Sequence, residues 1–297
     1  MTAALAWMMA SRWRAAGLTF AFAVLPLTGI FAAAILALVV LRRGFVEGVA
    51  VAAIAGGATL VLYLALGAGA LSVGGIVLIT WLPVMVLAAV LRATASQARV
   101  LALAGVFGCG AVVAIFAALG DPAAVWEQLI REQVLPLLDQ AGVAYNRDVL
   151  LPALPQMATL LTGLAAAFWA IGHFATVALA RWAQSVVYNP GGFGAEFHAL
   201  RLGAPVAVFA GVVFVAGVLT GVPLLTNLAL VLVVMYSVQG VAVMHGVVAG
   251  ANLHWAWLVP PYVLATVLPP HMLAMFAMLG LIDFWVDFRR RFAAGAE

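Results

Sequence analysis

Long apolar runs alternate with short breaks that carry arginine, and that alternation sets the elements this chain is expected to form. A helix that crosses a bilayer needs about 20 apolar residues. The run 15–41 holds Pro26 at its centre, so it predicts a hairpin turning at Leu25-Pro26-Leu27. That turn keeps Arg12 and Arg14 on the same side as Arg42 and Arg43. Its arms are short, which leaves a re-entrant hairpin and a full double crossing both open. Spans follow at 45–66, 76–91, 99–119, 154–180, 205–220 and 222–248, with a glycine-rich turn expected over 67–75. A short proline-rich arm at 255–268, the turn Pro269-Pro270 and a last span at 271–288 complete the pattern.

Two stretches break the apolar rhythm. In residues 121–152, Asp121-Pro122 reads as a helix cap followed by proline at the first helical position. Val125, Leu129, Ile130, Val134, Leu137 and Leu138 then recur at helical spacing, and Glu127 and Arg131 stand one turn apart. This predicts an amphipathic connector lying at the membrane–water boundary. The second break, 183–202, is an elbow bounded by Arg181 and Arg201. Asn189-Pro190-Gly191-Gly192 supplies a turn. Phe193, Phe197 and Leu200 follow at i, i+4 and i+7, the mark of a short amphipathic helix.

Composition turns these runs into membrane spans. The 297 residues are 67% hydrophobic and 8% charged, with a mean hydropathy of +1.21. Soluble domains are roughly half apolar and a quarter charged. The chain therefore reads as an all-α polytopic transmembrane bundle of eight to ten spans in one integral membrane domain. Its parts are a first helical half (1–120), an external connector (121–152), a long span (153–182), a cytoplasmic elbow (183–202) and C-terminal helices (203–297). All 13 basic residues are arginine. With these spans only Arg131 and Arg147 fall on the far side. The positive-inside rule then puts both termini in the cytoplasm of a bacterial inner membrane. The scattered arginines exclude a nucleic-acid partner, and the bilayer is the obligatory one. No cleavable signal peptide is expected, because the run after Arg14 continues unbroken. The sole cysteine, Cys109, reads as a small apolar residue within a span.

Polar groups inside the spans are the candidate chemistry, since each must find a partner away from water. His173, Asn227, Tyr236 and Gln239 are the candidate ligand-binding residues; the same groups would equally serve to bond helices together. Tyr236 and Gln239 lie one turn apart. Phe193, Glu196, Phe197 and Arg201 are the candidate partner-docking residues of the elbow. Asp283 and Asp287 read as anchors of the last helix, with Asp287 able to reach Arg291 and Asp283 needing an interior partner. Glu47 is expected to pair with Arg43. Gly44/Gly48, Gly217/Gly221 and Gly246/Gly250 are GxxxG pairs that let helices approach closely. No HExxH, GxSxG, phosphate-binding loop or clustered metal-ligand spacing is present, so neither enzymatic activity nor a cofactor or metal is expected.

The stretch GLIDFWVDFRRR, the pair Gln239-Gly240, the junction Arg42-Arg43-Gly44 and the elbow NPGGFGAEFHALRL together resemble the YybS-like bacterial membrane proteins, a family without an assigned molecular function. The first half of that family is similar in pattern to the substrate-binding S components of energy-coupling-factor vitamin transporters. The resemblance implies an S-component-like first half and a small-molecule transport or binding subunit. The rival expectation is a structural or assembly protein that docks a membrane or cytoplasmic partner through its elbow.

Overall fold

The computed structural model describes residues 2–67 and 69–293, and among them every regular element is helical. In chain order the helices are α1 (Thr2–Met9), α2 (Arg12–Val24), α3 (Gly29–Arg43), α4 (Phe45–Ala65), α5 (Ala70–Thr94), α6 (Gln97–Leu119), α7 (Pro122–Leu129), α8 (Leu135–Gln140), α9 (Arg147–Tyr188), α10 (Gly192–His198), α11 (Ala204–Thr220), α12 (Pro223–Gly250), α13 (Val259–Val267), α14 (Pro269–Val286) and α15 (Phe288–Ala293). Six are long and apolar enough to cross a membrane: α4, α5, α6, α9, α12 and α14. The protein is thus an all-α membrane protein.

Local chemistry sets most of the boundaries. Ser11, Ser96, Asp121 and Asn146 each cap the helix that follows by accepting from a backbone N–H one turn in. The hairpin turn falls at Leu25–Thr28, with Leu27 in the left-handed region, and α2 packs along α3 as expected. These arms hold 13 and 15 residues, about 20 and 22 Å at 1.5 Å per residue, short of a core of about 30 Å. α11 and the pair formed by a 3-10 turn (Trp255–Leu258) and α13 are likewise short.

Three expectations change. The glycine-rich turn over 67–75 shrinks, because α5 already starts at Ala70 and carries Gly74 and Gly75 inside it. In hydrocarbon a helix satisfies its own backbone, so glycine does not end it. The connector stripe is not one continuous helix. A π-turn over Ile130–Val134 precedes Pro136, whose ring cannot be fitted into regular α geometry behind it. The long span is longer than read: α9 has 42 residues, about 63 Å. It takes in the end of the connector and the start of the elbow, and so projects beyond the bilayer.

One contiguous apolar core runs from Met8 to Ala277. The arginines divide as the spans required. Arg12 and Arg43 meet Glu47, Arg43 also meets the Met9 carbonyl, Arg92 donates to the carbonyls of Val40 and Leu41, and Arg42 lies over the Tyr188 ring. Arg181, Arg201 and Arg289 gather on the neighbouring elbow. Arg131 and Arg147 sit at the opposite end with Glu127 and Asp139.

α12 and α14 run parallel, and their glycines show it. A Cβ on Gly240 would overlap the Phe276 carbonyl, and one on Gly280 would overlap the Tyr236 carbonyl. Each helical Cβ tilts toward its own N-terminus, so in a parallel pair each glycine meets the partner residue one turn earlier. Parallel packing requires the chain to return between Gly250 and Pro269, which the 3-10 turn and α13 accomplish.

Candidate functional site

The four polar residues singled out within the spans are not brought together. Asn227 is fully buried and its carboxamide sits in the backbone ladder of α9. Oδ1 accepts from the Gly163 N–H at 2.5 Å, while Nδ2 donates to the carbonyls of Thr159 and Pro223, both at 2.8 Å. Gly163 and Thr159 are themselves an i, i−4 pair, so Asn227 bridges one rung of the α9 helix. Gly163 permits this approach: a Cβ there would lie 2.6 Å from the Asn227 carbonyl oxygen.

Gln239, also fully buried, joins three elements. Its Oε1 accepts from the Leu202 N–H at 2.6 Å and its Nε2 donates to the Gly280 carbonyl at 2.5 Å. Tyr236 is buried and its hydroxyl has no partner among the described residues. Asn227 and Gln239 therefore fasten helix contacts, and none of the three lines the cavity beside His173.

His173 is different. It borders a cavity of about 630 Å³ walled by the α2–α3 hairpin, α4, α5 and α9. Its ring nitrogens face the Trp169 carbonyl at 2.5 Å and the Ile79 carbonyl at 3.2 Å, tying α9 to α5. A neutral imidazole has one N–H and one lone pair. The tautomer sets which of the two carbonyls receives the ring N–H. The Trp169 ring lies 4.6 Å from the imidazole. Thr59, Tyr63, Thr80, Trp81, Phe168 and Thr176 belong to the polar and aromatic part of the wall as well. Sequence reading passed over Tyr63, Thr80 and Trp169. The pair Thr59 and Tyr63, one turn apart on α4, was a usable signal of the same kind as Tyr236 and Gln239.

The elbow is ordered. Gly191 takes a positive φ of 82°, α10 follows, and Leu200 is fully buried. The rings of Phe193 and Phe197 stack at 6.0 Å, and Phe197 meets His245 edge-on at 6.0 Å. The charges assigned to docking point inward. Glu196 accepts from buried Arg181 through both oxygens, the shortest contact being 2.5 Å. Arg201 donates to the carbonyls of Asp283 and Phe284 and to Asp287 at 3.2 Å. Asp287 thus pairs with Arg201 rather than Arg291. Asp283 is fully buried; it accepts from Arg289 at 2.5 Å and from the Phe288 N–H at 3.0 Å. The partner of Asp283 lies beyond the left-handed Asp287 that ends α14.

Of the GxxxG glycines, Gly48 and Gly246 make close approaches, whereas Gly44 and Gly221 are positive-φ residues at helix ends. Compared with protein-family models, curated proteins and solved structures, the chain matches none.

Proposed function

We propose that the protein is a small-molecule-binding subunit of a bacterial inner membrane, of the S-component type, whose site is the cavity beside His173. The observation that carries this reading is the cavity itself. Its volume of about 630 Å³ falls within the 300–1,000 Å³ of ligand sites, and an apolar wall with a few polar groups is their usual chemistry. Trp81, Phe168, Trp169 and Tyr63 favour a solute with a flat apolar body. His173 and the hydroxyls favour one carrying a donor or acceptor at its edge. Under the positive-inside rule the arginine-rich end is cytoplasmic, as are both termini, and the cavity opens in the opposite half of the bundle. Kinship with the YybS-like proteins belongs to this reading. The test is mass spectrometry of small molecules retained on protein purified in mild detergent. Wild type should carry a species that Ala33→Trp, which fills the cavity, has lost while keeping its melting temperature. Equal retention by both would overturn the proposal.

A second reading, a structural or assembly protein, draws on the C-terminal half, where Asn227 and Gln239 fasten helices together. Under it the exposed faces of α10 dock a protein partner. Cross-linking that recovers one partner, with no small molecule on the wild type, would favour it.

A further inference from the structure

A second cavity, of about 650 Å³, lies between α6, α11 and α12, away from His173. Gly105, Val106 and Gly110 of α6 form one wall, Phe209 of α11 the other, and Leu228 and Leu232 of α12 the floor. The groove opens sideways: Val106 is 63% exposed and Phe209 48%. Nothing in its lining is charged. From Ala102 to Ala114 it extends along α6 for about 18 Å at 1.5 Å per residue. One leaflet of hydrocarbon is about 15 Å deep, half of a core of about 30 Å.

Arg99 stands at the head of this groove. It is exposed, in the first turn of α6, and among the described residues its guanidinium has no partner; only its backbone N–H is engaged, by Ser96. At 100° per residue Val106 and Gly110 fall within about 20° of Arg99 around the helix, so the cation and the groove share one face. Its neighbours Arg12, Arg14, Arg42, Arg43 and Arg92 are each held by Glu47, by a carbonyl or by a ring. The α6 N-terminus adds its own partial positive charge beside Arg99.

We infer that this groove is a site for an anionic phospholipid of the arginine-side leaflet, with its phosphate at Arg99 and one acyl chain lying along α6. Charge complementarity selects the headgroup, and the apolar depth of the groove, close to one leaflet, selects a lipid chain over a water-soluble anion. Gly110 keeps the groove open. A Cβ there meets nothing within 4 Å, so a larger side chain would enter the space without displacing the core.

Native mass spectrometry and melting curves of the detergent-purified chain test this, with phosphatidylglycerol, phosphatidylcholine of the same acyl chains, and soluble glycerol 3-phosphate as probes. Wild type should retain phosphatidylglycerol about fivefold over phosphatidylcholine, the effect of one arginine at an anionic surface. Arg99→Gln should bring that ratio to about one, and Arg14→Gln, on another helix, should leave it unchanged. Gly110→Leu should lose both lipids while melting like wild type in lipid-free detergent. Glycerol 3-phosphate should not shift the melting temperature. An unchanged ratio in Arg99→Gln, lipid retained by Gly110→Leu, or equal stabilisation by glycerol 3-phosphate would each overturn the inference. So would cross-linking of Cys109, which lines the groove, to a protein helix rather than to a lipid analogue.

Discussion

Replacing Asp283 by leucine removes the anion from the most buried ion pair at the arginine-rich end. Its carboxylate is fully buried and holds Arg289 at 2.5 Å and the Phe288 N–H at 3.0 Å, with Arg201 at 4.0 Å. The Arg289 side chain, only 15% exposed, would keep the carbonyls of His198 and Leu200 but lose its counter-charge. Removing one partner of a buried pair costs about 3–5 kcal/mol. The lower part of that range applies here, because Arg201 beside it is 36% exposed and water can screen the cluster. Asp283→Asn keeps an acceptor for the Phe288 N–H, so its cost should be about 1–3 kcal/mol, near that of one charge-assisted bond. Adding Arg289→Met to Asp283→Leu removes the orphaned cation, and the double variant should be more stable than the sum of the singles by about 1–3 kcal/mol. Denaturant titration in mild detergent, followed by tryptophan fluorescence, measures all five proteins: wild type, the two Asp283 variants, Arg289→Met and the double variant. Leucine and wild type agreeing within about 0.5 kcal/mol, or strict additivity in the double variant, would refute the buried-pair reasoning.

Gly240→Ala should destabilise by about 1–3 kcal/mol or more, because its Cβ overlaps the Phe276 carbonyl and neither backbone can yield without separating α12 from α14. Gly57→Ala, whose Cβ meets nothing, is the control and should be neutral or slightly stabilising in the same titration. Gln97 is buried with both amide atoms unpartnered, so Gln97→Met should raise the melting temperature, by an amount equivalent to about 1 kcal/mol; a lower melting temperature would mean the amide has a partner. His198 has its pKa lowered from 6.5 by burial, so its neutral form belongs to the folded elbow. That contribution is complete above pH 6.5 and disappears as pH falls through the lower folded value. Proteolysis at residues 189–200 should accordingly quicken on acidification and should do so less in His198→Phe, where His245, also lowered by burial, still titrates.

What was legible in the sequence was local. Pro26 placed the hairpin, Asp121-Pro122 placed a helix start, and the arginine pattern divided the two ends of the bundle. What was not legible depends on contacts across long separations. Glycines 74 and 75 read as a turn because their use inside a membrane helix rests on neighbours, not on propensity. Asn227 reads identically whether it faces a solute or enters the α9 ladder, and only the glycine at 163 decides between them. Asp283 finds Arg289 six residues on, a spacing outside helical periodicity, because Asp287 turns left-handed between them. The cavity was invisible because His173 and Tyr63 belong to helices far apart in the chain. Of the four candidate residues only His173 lines it, and its spacing from Trp169 alone does not set it apart from the other three.

The division of polar groups between the two halves bears on how the cavity and the elbow relate. Along α12 every close contact is fastened: Asn227 to α9, Gln239 to α14 and to Leu202, Gly240 against Phe276. Around the cavity the His173 ring of α9 faces the Ile79 carbonyl of α5, and Thr59 and Thr176 donate to carbonyls of their own helices. α9 belongs to both regions. It carries His173 at the cavity and Arg181 at the Glu196 pair, eight residues or about 12 Å apart on one uninterrupted helix. A solute that moves α9 at His173 would move a rod whose other part holds the elbow. The binding and docking readings are thus coupled through one element, and proteolysis of the elbow measured with and without a bound solute separates them. Protection that changes with the solute joins the two sites; protection indifferent to it leaves the elbow a structural connector.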